Sequence, residues 1–141
     1  VNAQVNRIGW SEFDAITVEY TGGGDVIHQD NKDVTTGAIG LDYAISDKTT
    51  LRAGVGYDPT PTRDSLRTAR IPDADRWLFS VGGSTEVTEG VTFDAGLTYI
   101  AFSDSTIRDD RTLYQGAMTS HLRGEAEGSA LVASLGARWA F

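Results

Sequence analysis

The pattern that decides the fold is clearest in residues 91–102, which read VTFDAGLTYIAF. Every second residue of this stretch is apolar, namely Val91, Phe93, Ala95, Leu97, Tyr99 and Ala101. The residues between them are small or polar as far as residue 98. Successive side chains of a β-strand point to opposite faces, so this period of two predicts a strand with one apolar and one polar face.

Four further stretches alternate in the same way, at residues 39–45, 51–58, 76–84 and 131–141. The opening stretch, residues 3–20, is less regular because Phe13 breaks the phase, and a β-bulge near residues 11–14 would explain the slip. Glycine makes up about 11% of the chain, 16 of 141 residues, against a usual value of about 7%, which favours strands joined by tight turns. We therefore predict an all-β protein with six antiparallel strands.

The connections between the predicted strands alternate in length. Short turns are predicted at residues 46–49 and 88–90, and long polar loops at residues 21–34, 59–75 and 103–128. Short turns on one rim, long loops on the other and strands of about ten residues are typical of an outer-membrane β-barrel. A soluble β-sandwich shows the same alternation with its apolar face as the core, so this pattern leaves both architectures open.

Composition argues against several classes of function. The chain has 12 Lys and Arg against 20 Asp and Glu, a net charge of −8, whereas a nucleic-acid surface needs a basic face. Without Cys there is no thiolate nucleophile and no Cys-type zinc site. His28 and His121 are isolated in predicted loops, and Asp104, Asp109 and Asp110 lack the spacing of an EF-hand. We predict no nucleic-acid partner, no metal, no cofactor and, in the absence of a nucleophile motif, no enzymatic activity.

Charged residues on the polar faces are the first candidates for a site. If Ala44 pairs with Thr50 across the short turn, Asp42 and Arg52 lie directly opposite each other, which favours a structural ion pair. Asp94 and Arg138 lie near the same rim of consecutive strands and are predicted to serve similarly. At the ends of the apolar faces, an interfacial aromatic girdle is predicted from Trp77, Tyr57, Tyr99, Trp139 and Phe141.

Residues 70–77, RIPDADRW, allow two interpretations. In the structural one, Asp73 and Asp75 pair or cap locally and Arg76 opens a strand. In the functional one, arginines form a cationic wall for a carboxylate headgroup, which a guanidinium binds with two parallel hydrogen bonds. The candidate lumen or ligand residues are Arg76, Arg70, Arg52 and Arg138.

Several stretches, in order along the chain, resemble the outer-membrane hydrophobic-compound transporters, the long-chain fatty acid channel family (FadL/TodX-like). The stretches are GWSEF at 9–13, KD at 32–33, IGLDY at 39–43, TLRAGVGYDPTP at 50–61, RIPDADRW at 70–77 and DAGLTY at 94–99. The end of the chain, RWAF at 138–141, resembles the terminal strand that bacterial barrels present to their assembly machinery. The resemblance covers nearly the whole chain.

The resemblance implies a 14-stranded barrel with a small N-terminal hatch, in the outer membrane of a Gram-negative bacterium. Its implied function is passive uptake of long-chain fatty acids or other hydrophobic compounds. Residues 1–141 are then the C-terminal part of a single barrel domain, about six strands, with the hatch and earlier strands absent. The implied partners are a hydrophobic small molecule (fatty acid or hydrocarbon), outer-membrane lipid and the barrel assembly machinery.

Some alternatives stay open at this point. Ile27 is apolar where a lumen-side basic residue is expected before His28, which keeps a neutral hydrocarbon open as the ligand. A small outer-membrane barrel or adhesin with partner-binding loops is a second interpretation. A soluble lipid-binding β-protein is a third, and it predicts that the apolar faces at residues 39–43 and 131–139 are buried.

Overall fold

The computed structural model describes residues 1–113 and 118–140, which form β-strands and two short 3-10 helices. The helices are Trp10–Glu12 and Asp64–Leu66, and no helix in this part of the chain is long and apolar enough to cross a membrane. The strands are β1 (Asn2–Ile8), β2 (Ala15–Tyr20), β3 (Gly23–His28), β4 (Val34–Ser46), β5 (Thr49–Asp58), β6 (Arg76–Thr88), β7 (Val91–Phe102), β8 (Ser105–Leu113), β9 (Met118–Ala126) and β10 (Ser129–Trp139).

Six strands form one antiparallel sheet in the order β1-β4-β5-β6-β7-β10. The predicted all-β antiparallel architecture is confirmed, and six of the ten described strands form this main sheet. The tight turns after β4 and β6 lie at one end of this sheet, and the long connections lie at the other. The sheet order ends at β1 and β10, so the sheet of the described residues is open rather than closed into a barrel.

The prediction of one bulged strand over residues 3–20 is wrong. β1 ends at Ile8, a 3-10 turn follows, and β2 leaves the main sheet to pair with β3 in a separate two-stranded sheet. The turn is fixed by Asp33, which accepts a hydrogen bond from the Ser11 amide at 3.1 Å and pairs with Arg7 at 3.4 Å. The hydrogen bonds from Ser11 also hold the pKa of Asp33 below its ordinary value.

Two of the predicted long loops contain strands. β3 lies within residues 21–34 and pairs with the preceding β2, and β8 pairs with β9 inside residues 103–128. The stretch that follows β2, predicted as the start of a long polar loop, is a hairpin turn in which Gly22 has a φ of +104° that favours glycine. These strands escaped the sequence pattern because β8, STIRDDRTL, is mostly polar and does not alternate between apolar and polar residues.

Side chains of the main sheet divide by residue number, because residues that pair across its strands are both odd or both even outside the two bulges. Odd-numbered residues form the apolar face and even-numbered residues form the polar face. The apolar face is exposed: Leu41, Tyr43 and Leu135 keep 50, 64 and 89% of their surface. The soluble alternative predicts the opposite for these positions.

The buried residues of the described chain lie at the long-loop end. They are Val34, Thr60, Arg67, Ala74, Ser105 and Ile107. All six lie in residues 29–34, 59–75 and 103–107, which are the connections at this end together with the first residues of β4 and β8. We call these residues the loop cap. The sheet therefore has no enclosed core of its own among the described residues, and close packing is concentrated in the cap.

Candidate functional site

The polar face of the main sheet lines an open cavity of about 790 Å³, which we call the trough. Its floor is formed largely by backbone, because glycines face each other across neighbouring strands. Gly40 lies opposite Gly54, and Gly82 lies opposite Gly96. The strands approach closely there: a Cβ on Gly82 would lie 2.8 Å from the Ala95 carbonyl oxygen. The glycines leave the trough wide where ordinary side chains would fill it.

Side chains of the polar face are arranged in layers that run across the strands. One layer is apolar and contains Ala38, Leu78, Ile100 and Ala130, with Gly56 between the first two. The next layer toward the short turns contains Ser80 and Thr98, whose hydroxyl oxygens are 2.9 Å apart, and Val132. We call the first layer the apolar band.

An arginine–carboxylate pair lies on each side of the apolar band. On the loop side, Arg76 is opposite Asp58 and its Nε donates to the Asp58 carboxylate at 2.9 Å. On the turn side, Arg52 is opposite Asp42, and its Nε donates to that carboxylate at 3.0 Å. The Arg52 guanidinium also donates to the Ser84 hydroxyl at 2.9 Å. Each charge is therefore compensated within the wall of the trough.

The structure separates the four candidate ligand arginines. Arg138 donates twice to Asp94, at 2.9 and 3.1 Å, near the short turns and diagonally across β7 and β10. Arg70 lies exposed on the loop cap, where it makes no hydrogen bond or ion pair to any described residue. Arg52, Arg76 and Arg138 thus each have a carboxylate partner, and Arg70 and Arg76 do not form one continuous wall.

The aromatic residues predicted as a girdle lie on the apolar face. Tyr57 and Trp77 are opposite each other at the loop end, with ring centroids 4.8 Å apart, and Trp77 also stacks on Phe79 at 6.4 Å. Tyr99 lies one layer further in, opposite Phe79, and Trp139 lies at the short-turn end opposite Val91. Phe141 lies outside the described residues.

The loop cap contains residues that sequence reasoning missed. Arg67 is buried, its Nε donates to the Asp73 carbonyl at 2.8 Å, and its Nη1 lies 2.9 Å from the Asp64 carboxylate. Thr60 is buried and its hydroxyl donates to the Asp73 carboxylate at 2.6 Å. The stretch from 59 to 75 has no periodicity, so nothing in it marks these side chains as buried. Among the sequence-based predictions, only the local pairing of Asp73 and Asp75 indicated a cluster of polar contacts in this connection.

Asp75 ties the strand end to the cap. Its carboxylate accepts hydrogen bonds from the Tyr57 hydroxyl at 2.6 Å and from the Thr60 amide at 2.8 Å. Burial favours the neutral acid, but these hydrogen bonds and the positive charges of Lys32 and Arg67 outweigh it and lower the pKa of Asp75. Asp75 is therefore an anion with defined partners.

The β8–β9 hairpin carries a separate exposed cluster. Asp110 lies opposite His121, and its carboxylate contacts His121 Nδ1 at 2.8 Å and both terminal nitrogens of Arg123 at 2.8 and 2.9 Å. Hydrogen bonds from Arg123 and then His121 lower the pKa of Asp110 from 3.8 to about 2. His121, predicted as an isolated loop residue, is thus a strand residue with a partner. Within residues 1–113 and 118–140, no group of His, Asp and Glu side chains is arranged to hold a metal ion.

Comparison with known proteins gives a consistent result. The whole chain, residues 1–141, matches the sequence model of a family described as outer membrane protein transport protein (OMPP1/FadL/TodX). The chain is 29% identical over 117 residues to the 47 kDa outer membrane protein of Pasteurella multocida, which covers 82% of this chain and 27% of that protein. It is 30% identical over 93 residues to the long-chain fatty acid transport protein of Escherichia coli K12, covering 64% of this chain and 21% of that protein.

The fold is also found in a solved structure. The crystal structure of a Pseudomonas aeruginosa FadL homologue superposes with a TM-score of 0.87 at 29% identity, covering 97% of this chain and 31% of that one. The chain spans between a fifth and a third of the length of these three proteins.

Proposed function

Since this chain belongs to the outer membrane protein transport protein family (OMPP1/FadL/TodX), whose named relatives are outer membrane proteins, we propose that it forms part of the wall of a channel for hydrophobic compounds. The proposed process is passive: an apolar solute leaves water, rests against the trough and diffuses down its gradient. It requires no catalytic residue of this chain.

The observation that carries the proposal is the apolar band. On a face that is otherwise mostly small, polar or charged, Leu78 and Ile100 lie opposite each other on β6 and β7, toward the loop end of the trough. Ala38 and Ala130 belong to the same layer of the sheet. Contact with such a surface favours an apolar solute by about 25 cal/mol per Å² of surface removed from water. A hydrophilic solute gains nothing from it.

The charges around the band support the same proposal. Arg52, Arg76 and Arg138 each lie within 3.0 Å of a carboxylate, so an apolar solute passing them meets compensated charges. We propose long-chain fatty acids or neutral hydrocarbons as the substrate class. Within that class, this part of the wall contacts the hydrocarbon portion, because a fatty acid carboxylate would have to compete with a resident Asp for each of these arginines.

The outer surface of the sheet supports the proposed membrane setting. Its apolar face would contact outer-membrane lipid, with Tyr57, Trp77, Tyr99 and Trp139 near the two interfaces. The free edges of β1 and β10 need partners, since unpaired backbone groups cannot be satisfied in lipid. We propose that they pair with further strands of a 14-stranded barrel, of which this chain is the C-terminal part, and that β10 is read by the barrel assembly machinery.

The test is uptake by the native gene product that contains residues 1–141, in an E. coli strain lacking its own long-chain fatty acid transport protein. Leu78→Asp places a carboxylate in the apolar band, so we expect uptake of labelled oleate and toluene to fall about tenfold. Leu122→Asp makes the same change on the exposed β8–β9 hairpin and should leave uptake unchanged. Normal uptake by a correctly inserted Leu78→Asp variant would contradict the proposal.

A further inference from the structure

Arg67 is a buried charged side chain that the proposed function does not use. Its side chain is only 6% exposed, although it lies in a connection between β5 and β6 rather than in a strand. Burying a guanidinium is costly unless each of its charged hydrogen-bond donors finds a partner. The contacts of Arg67 therefore show which segments of the cap this side chain holds together.

Two segments of the chain meet at Arg67. Its Nε donates to the Asp73 carbonyl at 2.8 Å, and its Nη1 donates to the Thr106 carbonyl on β8 at 3.4 Å. The same nitrogen lies 2.9 Å from the Asp64 carboxylate. One side chain thus links the β5–β6 connection at two points to the start of the β8–β9 hairpin.

Asp73 connects this cluster to the trough. Its carboxylate accepts from the buried Thr60 hydroxyl at 2.6 Å, and its other oxygen lies 3.9 Å from Arg76. Arg76 in turn pairs with Asp58 at the loop end of the trough. A path of direct contacts therefore runs from β8 through Arg67 and Asp73 to the ion pair beside the apolar band.

We propose that Arg67 is a positioning residue that couples the loop cap to the loop end of the trough, so that the cap and the Arg76–Asp58 pair form one entrance of fixed geometry. This inference rests on the proposed function and adds the element that sets the shape of its entrance. Arginine suits the role because its planar guanidinium offers several donors in fixed directions, whereas a lysine ammonium is a single point charge.

The direct test measures the geometry of the cap and needs no transport. Residues 1–141 contain no Cys, so spin labels at Ser65→Cys and Arg108→Cys mark the two segments that Arg67 joins without competition from this chain. In the native gene product, we expect a narrow distance distribution that at least doubles in width with Arg67→Met. Arg70→Met removes an exposed neighbouring arginine without partners among the described residues and should leave the width unchanged. Equal widths for the two variants would overturn the inference.

Two further variants separate positioning from general loss of structure. Arg67→Lys keeps a charge near Asp64 but cannot make both carbonyl contacts, so we expect an intermediate width. If the Arg67→Met protein does not insert into the membrane, Arg67→Lys serves as the test in its place. A distance distribution as narrow as that of the wild type for Arg67→Lys would then overturn the inference.

Uptake shows whether the coupling reaches the trough. Arg67→Met should raise the half-saturating concentration of oleate roughly three- to tenfold with little change in maximal rate, since the entrance loses its preorganised shape. Adding Arg67→Met to Arg76→Met should cause no further change in the half-saturating concentration of oleate, because both substitutions act on the Arg76–Asp58 pair. Additive effects would contradict the coupling. Absence of uptake in every variant, with the distances as expected, would instead refute the proposed function and leave the fixed cap standing.

Discussion

Replacement of Gly82 by Ala tests whether the trough floor depends on close backbone contact. The new Cβ would lie 2.8 Å from the Ala95 carbonyl oxygen, well inside the 3.4 Å at which ordinary van der Waals contact begins. The obstacle is backbone of a paired strand, so it cannot move aside as a flexible side chain can. Overpacking of this kind costs about 1–3 kcal/mol, and Ala regains about 0.5–1 kcal/mol of backbone entropy relative to Gly. We expect a net loss of about 1–2 kcal/mol.

The matched control is Gly136→Ala on β10. Its Cβ would be 3.8 Å from the Asp94 Cβ, an ordinary contact, so the entropy gain is expected to leave stability equal or slightly higher. The measurement is urea unfolding of the native gene product in detergent micelles, followed by tryptophan fluorescence. Equal unfolding free energies for the two variants would show that the strands do not approach as the structure indicates, and would refute the reasoning.

Two other predictions concern charged pairs. Because the pKa of Asp110 is lowered from 3.8 to about 2, its stabilisation of the β8–β9 hairpin is present above pH 4 and is lost as the pH falls toward 2. NMR titration of the Asp110 carboxyl should show this midpoint, and Arg123→Gln should return it toward 3.8; a wild-type midpoint near 3.8 would contradict the pairing. Asp42→Arg places two cations opposite each other and should lower stability by up to about 1 kcal/mol, a small value because both side chains are nearly half exposed. The double variant Asp42→Arg/Arg52→Asp should recover most of that loss, and equal losses in both would show that the pair does not interact.

Local rules account for the parts of the fold that were predictable. The alternation in β4 to β7 and β10 reports which face each side chain occupies, because the period of a strand is a property of its own backbone. Once a tight turn joins β4 to β5, the register follows, and it sets Asp42 opposite Arg52. The same reasoning failed at residues 3–20, where Asp33, distant in sequence, fixes a turn at Ser11 and redirects the chain.

Sequence by itself therefore determined five of the six strands of the antiparallel sheet, its two faces and the positions of its short turns and long connections. Only the tertiary structure decided what those connections do. Arg67 contacts Thr106, 39 residues away, and Asp73 joins that contact to Arg76 at the end of the trough. The sequence of these connections has no hydrophobic periodicity that would predict such contacts, because irregular backbone does not determine which side chains point inward. Buried polar groups of the cap need hydrogen-bond partners. Those partners come from segments that meet only when the strands pair.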